Sequence, residues 1–204
     1  MYLLRENTRR VPYVAVASAR RHFFKFGGDA VRILSFDQST VLTGYAVFDN
    51  ETLVSHGVID FHKEDDLLAR ANMMWIEIDG LIQDLRPDVI VYEGVALQNN
   101  AQVLIKLGNL QGHIMASAWR ANIPFVSYLP TTWRKRLGFR QGGGVKRSEL
   151  KKQAVTIVEE TYGIHVREDE AEAVAIGLAY IKEQKEINGN VRKEDCEEEQ
   201  ILPF

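Results

Sequence analysis

The sequence predicts an α/β fold: a mixed five-stranded sheet in the order β-β-β-α-β-α-β-α-α, with helices on both faces. Three observations predict it. Short apolar runs recur through the middle of the chain. The second and third of them flank a tight polar turn, Asp49-Asn50-Glu51. Longer stretches with apolar residues three and four apart separate the later runs, as amphipathic helices require.

Val31–Phe36 is a short apolar run suited to a buried strand. Thr43–Phe48 and Thr52–Ile59 form a hairpin around the turn. Asp65 or Asp66 caps a helix whose apolar positions are Leu67, Ala71, Met74, Ile78, Leu81 and Leu85, and Pro87 stops it. Val89–Tyr92 is the fourth strand. A second helix carries Val103, Leu107, Leu110 and Ile114, and Pro124–Ser127 is the fifth strand. A basic loop containing Gly142-Gly143-Gly144 follows. A helix from about Ser148 ends near Tyr162-Gly163, where glycine suits a left-handed cap. The last helix runs from about Asp169 to Lys185. Helical crossovers place the fourth and fifth strands parallel to a neighbour in the same sheet.

The 204 residues suit one domain at residues 30–182, with a flexible basic leader at 1–29 and a charged tail at 183–204. The leader carries six Lys/Arg against two acids, and Arg9, Arg10, Arg20 and Arg21 give it a transit-peptide flavour. The tail from Lys182 carries four bases against seven acids. No apolar run is long enough for a membrane span. The single cysteine, Cys196, forms no internal disulfide, and no Cys/His zinc spacing is present; a reducing, cytoplasmic setting is expected, with organellar import as the alternative.

Asp37 follows the first strand, expected at the sheet centre, and Glu93 follows the fourth. Parallel neighbours would release both acids at the same sheet end, where α/β ligand sites form. Asp169 and Glu172 are three apart and share one helix face; Glu168 or Glu170 could replace either after a small register shift. Two unit charges 4 Å apart repel by about 1 kcal/mol in water and about 4 kcal/mol at an effective dielectric near 20. Several such pairs would consume much of a small domain's stability. A divalent cation relieves this, as would protonation of one acid. Oxygen ligands without nearby His or Cys favour Mg²⁺, with Mn²⁺ able to substitute. The pattern therefore points to a metal-dependent phosphodiester nuclease. For Asp169 alone, helix capping explains the residue equally well.

Asp37-Gln-Ser-Thr-Val-Leu-Thr43-Gly44-Tyr45-Ala-Val47 resembles the first motif of RuvC-type Holliday-junction resolvases. Glu93-Gly-Val followed by Leu104-Ile-Lys-Leu107-Gly108-Asn-Leu-Gln-Gly112 is similar to their second motif, and Asp169-Glu-Ala-Glu172-Ala-Val-Ala to their closing acidic motif. The resemblance spans about residues 31–182. Tyr128-Leu-Pro-Thr-Thr-Trp133-Arg-Lys is most like the phage and Firmicutes branch. The resemblance implies an RNase H-like fold, a homodimer, cleavage of four-way DNA junctions with Mg²⁺, and a catalytic, metal-binding role for Asp37, Glu93, Asp169 and Glu172. Three departures stand out: Ser39 replaces a common glycine, Glu172 a common aspartate, and Ala96 an aromatic that wedges into the junction in cellular members.

Eight Lys/Arg against one acid lie between Trp133 and Gln153. Arg134, Lys135, Arg136, Arg140, Lys146 and Arg147 are the candidate DNA contacts, offsetting the acids' repulsion of phosphate. Either Lys146 or Arg147 matches a basic residue near the site in the resembled family. Trp133 and Phe139 are expected to anchor the loop on the core rather than stack on a base. His113 and His165 are isolated, and Met73 and Met74 read as core filling. The second helix is apolar on more than one face, which suits a sheet on one side and a second copy on the other. Rival readings are the same chemistry on other branched or replicative DNA and a non-catalytic junction binder. An RNase H-fold ATPase needs a second related domain and an adenosine site, for which the chain is too short.

Overall fold

The computed structural model describes residues 30–95 and 101–198, with side chains to residue 189. The leader and Ala96 lie outside the described residues. Five strands, β1 (Arg32–Asp37), β2 (Leu42–Asp49), β3 (Thr52–Asp60), β4 (Val89–Glu93) and β5 (Phe125–Tyr128), form one sheet in the order β3-β2-β1-β4-β5. The first three run antiparallel; β1 pairs with β4, and β4 with β5, in parallel. β1 therefore sits at the centre, as the order of elements predicts.

The hairpin turn works as its residues dictate. Asn50 takes a left-handed φ of 56°, its amide donates to the Val31 carbonyl at 2.8 Å, and its side chain accepts from the Val31 amide at 3.0 Å. Helix α1 (Leu67–Leu85) is capped by Asp66, which accepts from the Ala69 amide at 2.6 Å. It ends where Arg86, ahead of Pro87, turns left-handed. Helix α2 is Ala101–Arg120. Both pack on one sheet face through Met74, Ile78, Ile82, Leu110, Ile114 and Ala118, against Leu34, Phe36, Val47, Ile90 and Tyr92. Met73, expected in the core beside Met74, is 38% exposed because it lies off the buried stripe.

The opposite face carries α3 (Pro130–Arg136), α4 (Arg147–Tyr162) and α5 (Glu168–Glu198). Helix α3 falls where the sequence suggests a loop. Its seven residues are too few for an apolar period, and Pro130 at its first turn is its one sequence signal. Gly163 closes α4 with φ 67°, as expected. Helix α5 begins one residue before Asp169 and runs well past Lys185; beyond Lys182, Gln184 is only 3% exposed. Strand, α3 and α4 surfaces enclose the helix, so residues on several of its sides are buried, from Ala171 and Val174 to Tyr180 and Ile181.

Small residues let α5 lie close to the sheet. A Cβ on Gly177 would meet Phe48 Cε2 at 2.2 Å. A Cβ on Gly44 would meet the Asp169 carbonyl oxygen at 2.1 Å. The start of α5 thus rests directly on β2, beside the end of β1.

Candidate metal centre

Strand periodicity aims the acids. Side chains alternate between faces, so Ile33, Ser35 and Asp37 point one way and Leu34 and Phe36 the other. Ile33 packs with the α5 side, and the Ser35 hydroxyl donates to the Ala173 carbonyl of α5 at 2.8 Å. Leu34 and Phe36 pack with α1 and α2. The same count along β4 puts Val89, Val91 and then Glu93 toward α5. Phe36 pairs with Tyr92 in the parallel register, so Asp37 and Glu93 leave adjacent strands at one sheet end.

The first turns of α5 meet them. One carboxylate oxygen each from Asp37, Asp169 and Glu172 lies within 4.8 Å of the others. Glu93 is not in that trio. Its Oε1 accepts from Trp133 Nε1 at 2.9 Å and lies 3.6 Å from Arg134 Nη2, which reaches Glu172 Oε1 at 3.1 Å. Asp169 sits inside α5 rather than at its cap, and Lys151 of α4 binds it at 2.9 Å. Glu168 and Glu170 look elsewhere: Glu168 toward Lys151 at 3.5 Å, Glu170 toward His56 at 3.3 Å.

The electrostatics follow from this crowding. Burial, then the charges of Glu93, Glu172 and Asp169, push the Asp37 carboxyl well above the usual range, with Arg147 opposing. Burial also raises Glu93, although the Trp133 hydrogen bond and Arg134 pull it back. Burial would lower the Lys151 ammonium, but its hydrogen bond to Asp169 and the surrounding acids leave it raised. A trio of hard oxygen donors that carry mutual repulsion, with no His or Cys among them, fits a hard divalent cation.

The connection between β1 and β2 is pinned beside the site. Ser39 and Thr43 exchange two hydrogen bonds, of 3.0 and 2.6 Å, and Gln38 donates to the Glu93 carbonyl. Ser39 keeps a negative φ, so serine fits without strain where glycine is common.

The six candidate DNA-contact residues divide. Lys135, Arg140, Lys146 and Arg147 are exposed. Arg147, opening α4, is the nearer of the Lys146/Arg147 pair in effect, since its charge acts on both Asp37 and Glu93. Arg134 and Arg136 turn inward, with side chains 15% and 20% exposed; Arg136 pairs with Glu183 at 3.0 Å. Trp133 is fully buried and packs edge-on with Phe139, 5.2 Å between centroids, as an anchor should. His113 stacks on Trp75, and His165 is an exposed partner of Glu159. Lys151, read from the sequence only as one of the eight bases, Trp133, read as a loop anchor, and Gln38, given no role, are the neighbours of the acids that spacing does not connect to them.

Residues 33–180 match the family model of the crossover junction endodeoxyribonuclease RuvC. Among relatives of that name, the protein of Pelodictyon phaeoclathratiforme is 32% identical over 102 residues, 48% of this chain and 53% of that one. The Chlamydia felis protein is 26% identical over 153 residues, 72% of this chain and 90% of that one. The chain thus spans about half of the first relative and most of the second. The fold is similar to that of Thermus thermophilus RuvC in complex with a Holliday junction substrate, with TM-score 0.62, 16% identity, and coverage of 74% and 93% of the two chains. It is also similar to the Fowlpox virus resolvase in complex with substrate Holliday junction DNA, with TM-score 0.53, 16% identity, and coverage of 74% and 97%. With the mixed sheet, the acids at its strand ends and a motif match over most of its length, this chain belongs to the RuvC crossover junction endodeoxyribonuclease family.

Proposed function

We infer that the protein is a metal-dependent endonuclease that resolves four-way DNA junctions by paired nicks. The observation that carries this is the convergence of Asp37, Asp169 and Glu172 within 4.8 Å, on the fold shared with junction-bound resolvases. These three would hold Mg²⁺, or Mn²⁺ in its place, with Glu93 as the fourth acid. When bound, the ion supplies Lewis acidity that activates water and stabilises the leaving oxygen of an in-line displacement.

The chain's own residues prepare that chemistry. The sheet fixes Asp37 and Glu93 at adjacent strand ends, and α5 brings Asp169 and Glu172 against them. Lys135, Arg140, Lys146 and Arg147 offer an exposed basic surface to phosphates. Arg147 sets positive charge beside the acids, where an anionic backbone must approach. The products expected are a 5′-phosphate and a 3′-hydroxyl, with water as nucleophile.

A homodimer joined through α2 supplies one site for each of two cut strands. Ile105 and Trp119, two heptads apart on one side of α2, are 59% and 57% exposed. Leu68 and Ile76 of α1 are 71% and 64% exposed. Such an apolar surface suits an isologous contact. Relatives of the same family name come from bacteria, and on that ground we place the activity in the cytoplasm of a bacterium or phage host; separately, among the described residues no helix is long and apolar enough to cross a membrane.

The test is cleavage of a four-way junction, a flap and a plain duplex in Mg²⁺. The parent should nick the junction, and EDTA should stop it. Asp37→Asn and Glu93→Gln should each slow cutting by about 1,000-fold or more while binding changes by less than about threefold. Junction binding without any cutting by the parent would support a non-catalytic binder instead. Preference for the flap would move the substrate to other branched DNA.

A further inference from the structure

The site contains two acids held in a way that bare strand ends cannot explain. Glu93 Oε1 receives the buried Trp133 indole at 2.9 Å, and Arg134 Nη2 lies between Glu93 and Glu172, at 3.6 and 3.1 Å. The guanidinium lies over the Trp133 ring, 4.7 Å from its centroid, which restricts its swing. Its side chain is only 15% exposed, and that of Glu172 only 4%. A cation buried against two site carboxylates is poorly placed to meet a phosphate on the surface.

Helix α3, which carries both residues, is itself fastened. Arg136 at its C-terminal end pairs with Glu183 of α5 at 3.0 Å, and Lys182 donates to the Arg136 carbonyl at 2.9 Å. The Tyr128 hydroxyl, at the end of β5 just before α3, donates to the same Glu183. The Arg136 guanidinium also lies over the Tyr128 ring, at 5.9 Å. α3 is thus clamped by the part of α5 from Lys182 onward, more than two turns beyond Glu172.

We propose that Arg134 is a positioning residue of the metal centre: stacked on Trp133 and anchored through α3, it orients Glu93 and Glu172 rather than binding DNA. This deepens the nuclease reading and rests on it. Two consequences follow from charge and geometry. Removing the guanidinium takes a resident cation away from two carboxylates, so a divalent ion should bind the remaining acids more tightly. The same removal takes the guanidinium from Glu172 and leaves Glu93 held by the Trp133 indole without Arg134, so the bound ion should support slower cutting.

The experiment pairs Mn²⁺ titration calorimetry of the full chain without DNA with cleavage kinetics at saturating Mn²⁺ and junction binding in EDTA. For Arg134→Gln, Mn²⁺ dissociation constants should fall by about threefold or more. Its turnover should fall by about tenfold or more, while junction affinity and its salt dependence stay within about twofold of the parent. Arg134→Lys keeps the charge without the planar stack, so it guards against an Arg134→Gln protein that does not fold. It should bind Mn²⁺ within about twofold of the parent and cut about fivefold or more slowly.

Parental turnover in Arg134→Lys would overturn the proposal. So would a junction affinity that falls about fivefold in Arg134→Gln with a shallower salt slope, the mark of a phosphate contact. An unchanged Mn²⁺ affinity in Arg134→Gln would remove Arg134 from the acids and overturn it too. A parent that cuts no branched DNA sinks the nuclease reading separately, and the Mn²⁺ affinities still decide whether Arg134 sits against the carboxylates.

Discussion

At Gly44 two backbones touch. A methyl group there would stand 2.1 Å from the Asp169 carbonyl oxygen and 3.2 Å from Ala173 Cβ, and main chain cannot swing aside as a long side chain can. Gly44→Ala must lift the start of α5 and carry Asp169 and Glu172 away from Asp37. The expected cost is about 1–3 kcal/mol of stability, typical of an overpacked contact. Urea unfolding should show it, and Mn²⁺ titration should show a weaker site; a variant with parental stability and affinity would contradict the contact. Asp37, Asp169 and Glu172, which the structure brings together, stand out in the sequence because each lies where an element ends or opens, a local property that spacing displays; Glu93 ends the adjacent strand outside that trio. The partners of those acids do not stand out. Trp133 and Arg134 lie some 40 positions from Glu93, and that pairing exists only once α3 has formed and docked.

Elements with a long apolar period were readable, whereas the short one was not. α1, with a cap at Asp65 or Asp66 that the structure places on Asp66, the hairpin, and the Gly163 stop all follow from local chemistry. α3 has only one full turn beyond its proline and takes its stability from buried Trp133 and the Glu183 clamp, which are tertiary. The part of α5 just past Lys182 was hidden by composition: its charges suggest a solvated tail, yet Glu183 and Gln184 pack onto the fold. β1 and β2 also share a testable pair. Arg32 binds Asp49 through two hydrogen bonds, of 2.8 and 2.9 Å. Hydrogen bonding from Arg32, helped by its charge and opposed by partial burial, holds the Asp49 carboxyl below its ordinary range. A carboxylate depressed on folding stabilises above its unfolded pKa, near about 3.9, and loses that contribution as pH falls through the folded value. The pair is partly exposed, so Asp49→Asn should cost at most about 1 kcal/mol at neutral pH. In urea titrations the gap between parent and variant should close as the solution is acidified below about pH 4. A gap that persists into strong acid would assign the effect to packing.

Across the molecule, the strand order followed from two rules, that hairpins pair neighbours and that helical crossovers give parallel strands. Which surface faces a partner follows from neither rule. The exposed apolar residues of α2 make a concrete expectation. Ile105→Glu combined with Trp119→Glu should raise the dissociation constant of a dimer by about 100-fold or more, since charge placed in an apolar contact is not compensated. Light scattering at matched concentration should show half the parental mass with an unchanged circular dichroism spectrum. A parent that is monomeric at tens of micromolar would end the dimer proposal.

The alternation of side chains along β1 has one more result. It sends Asp37 to one side of the sheet while its neighbour Phe36 supports the helices on the other. On the proposed reading, the acidic site and the apolar surface offered to a second copy therefore lie on opposite sides of one sheet. The outer faces of α1 and α2 would then be open to redesign for a new companion while β1, by keeping its register, holds Asp37 in place.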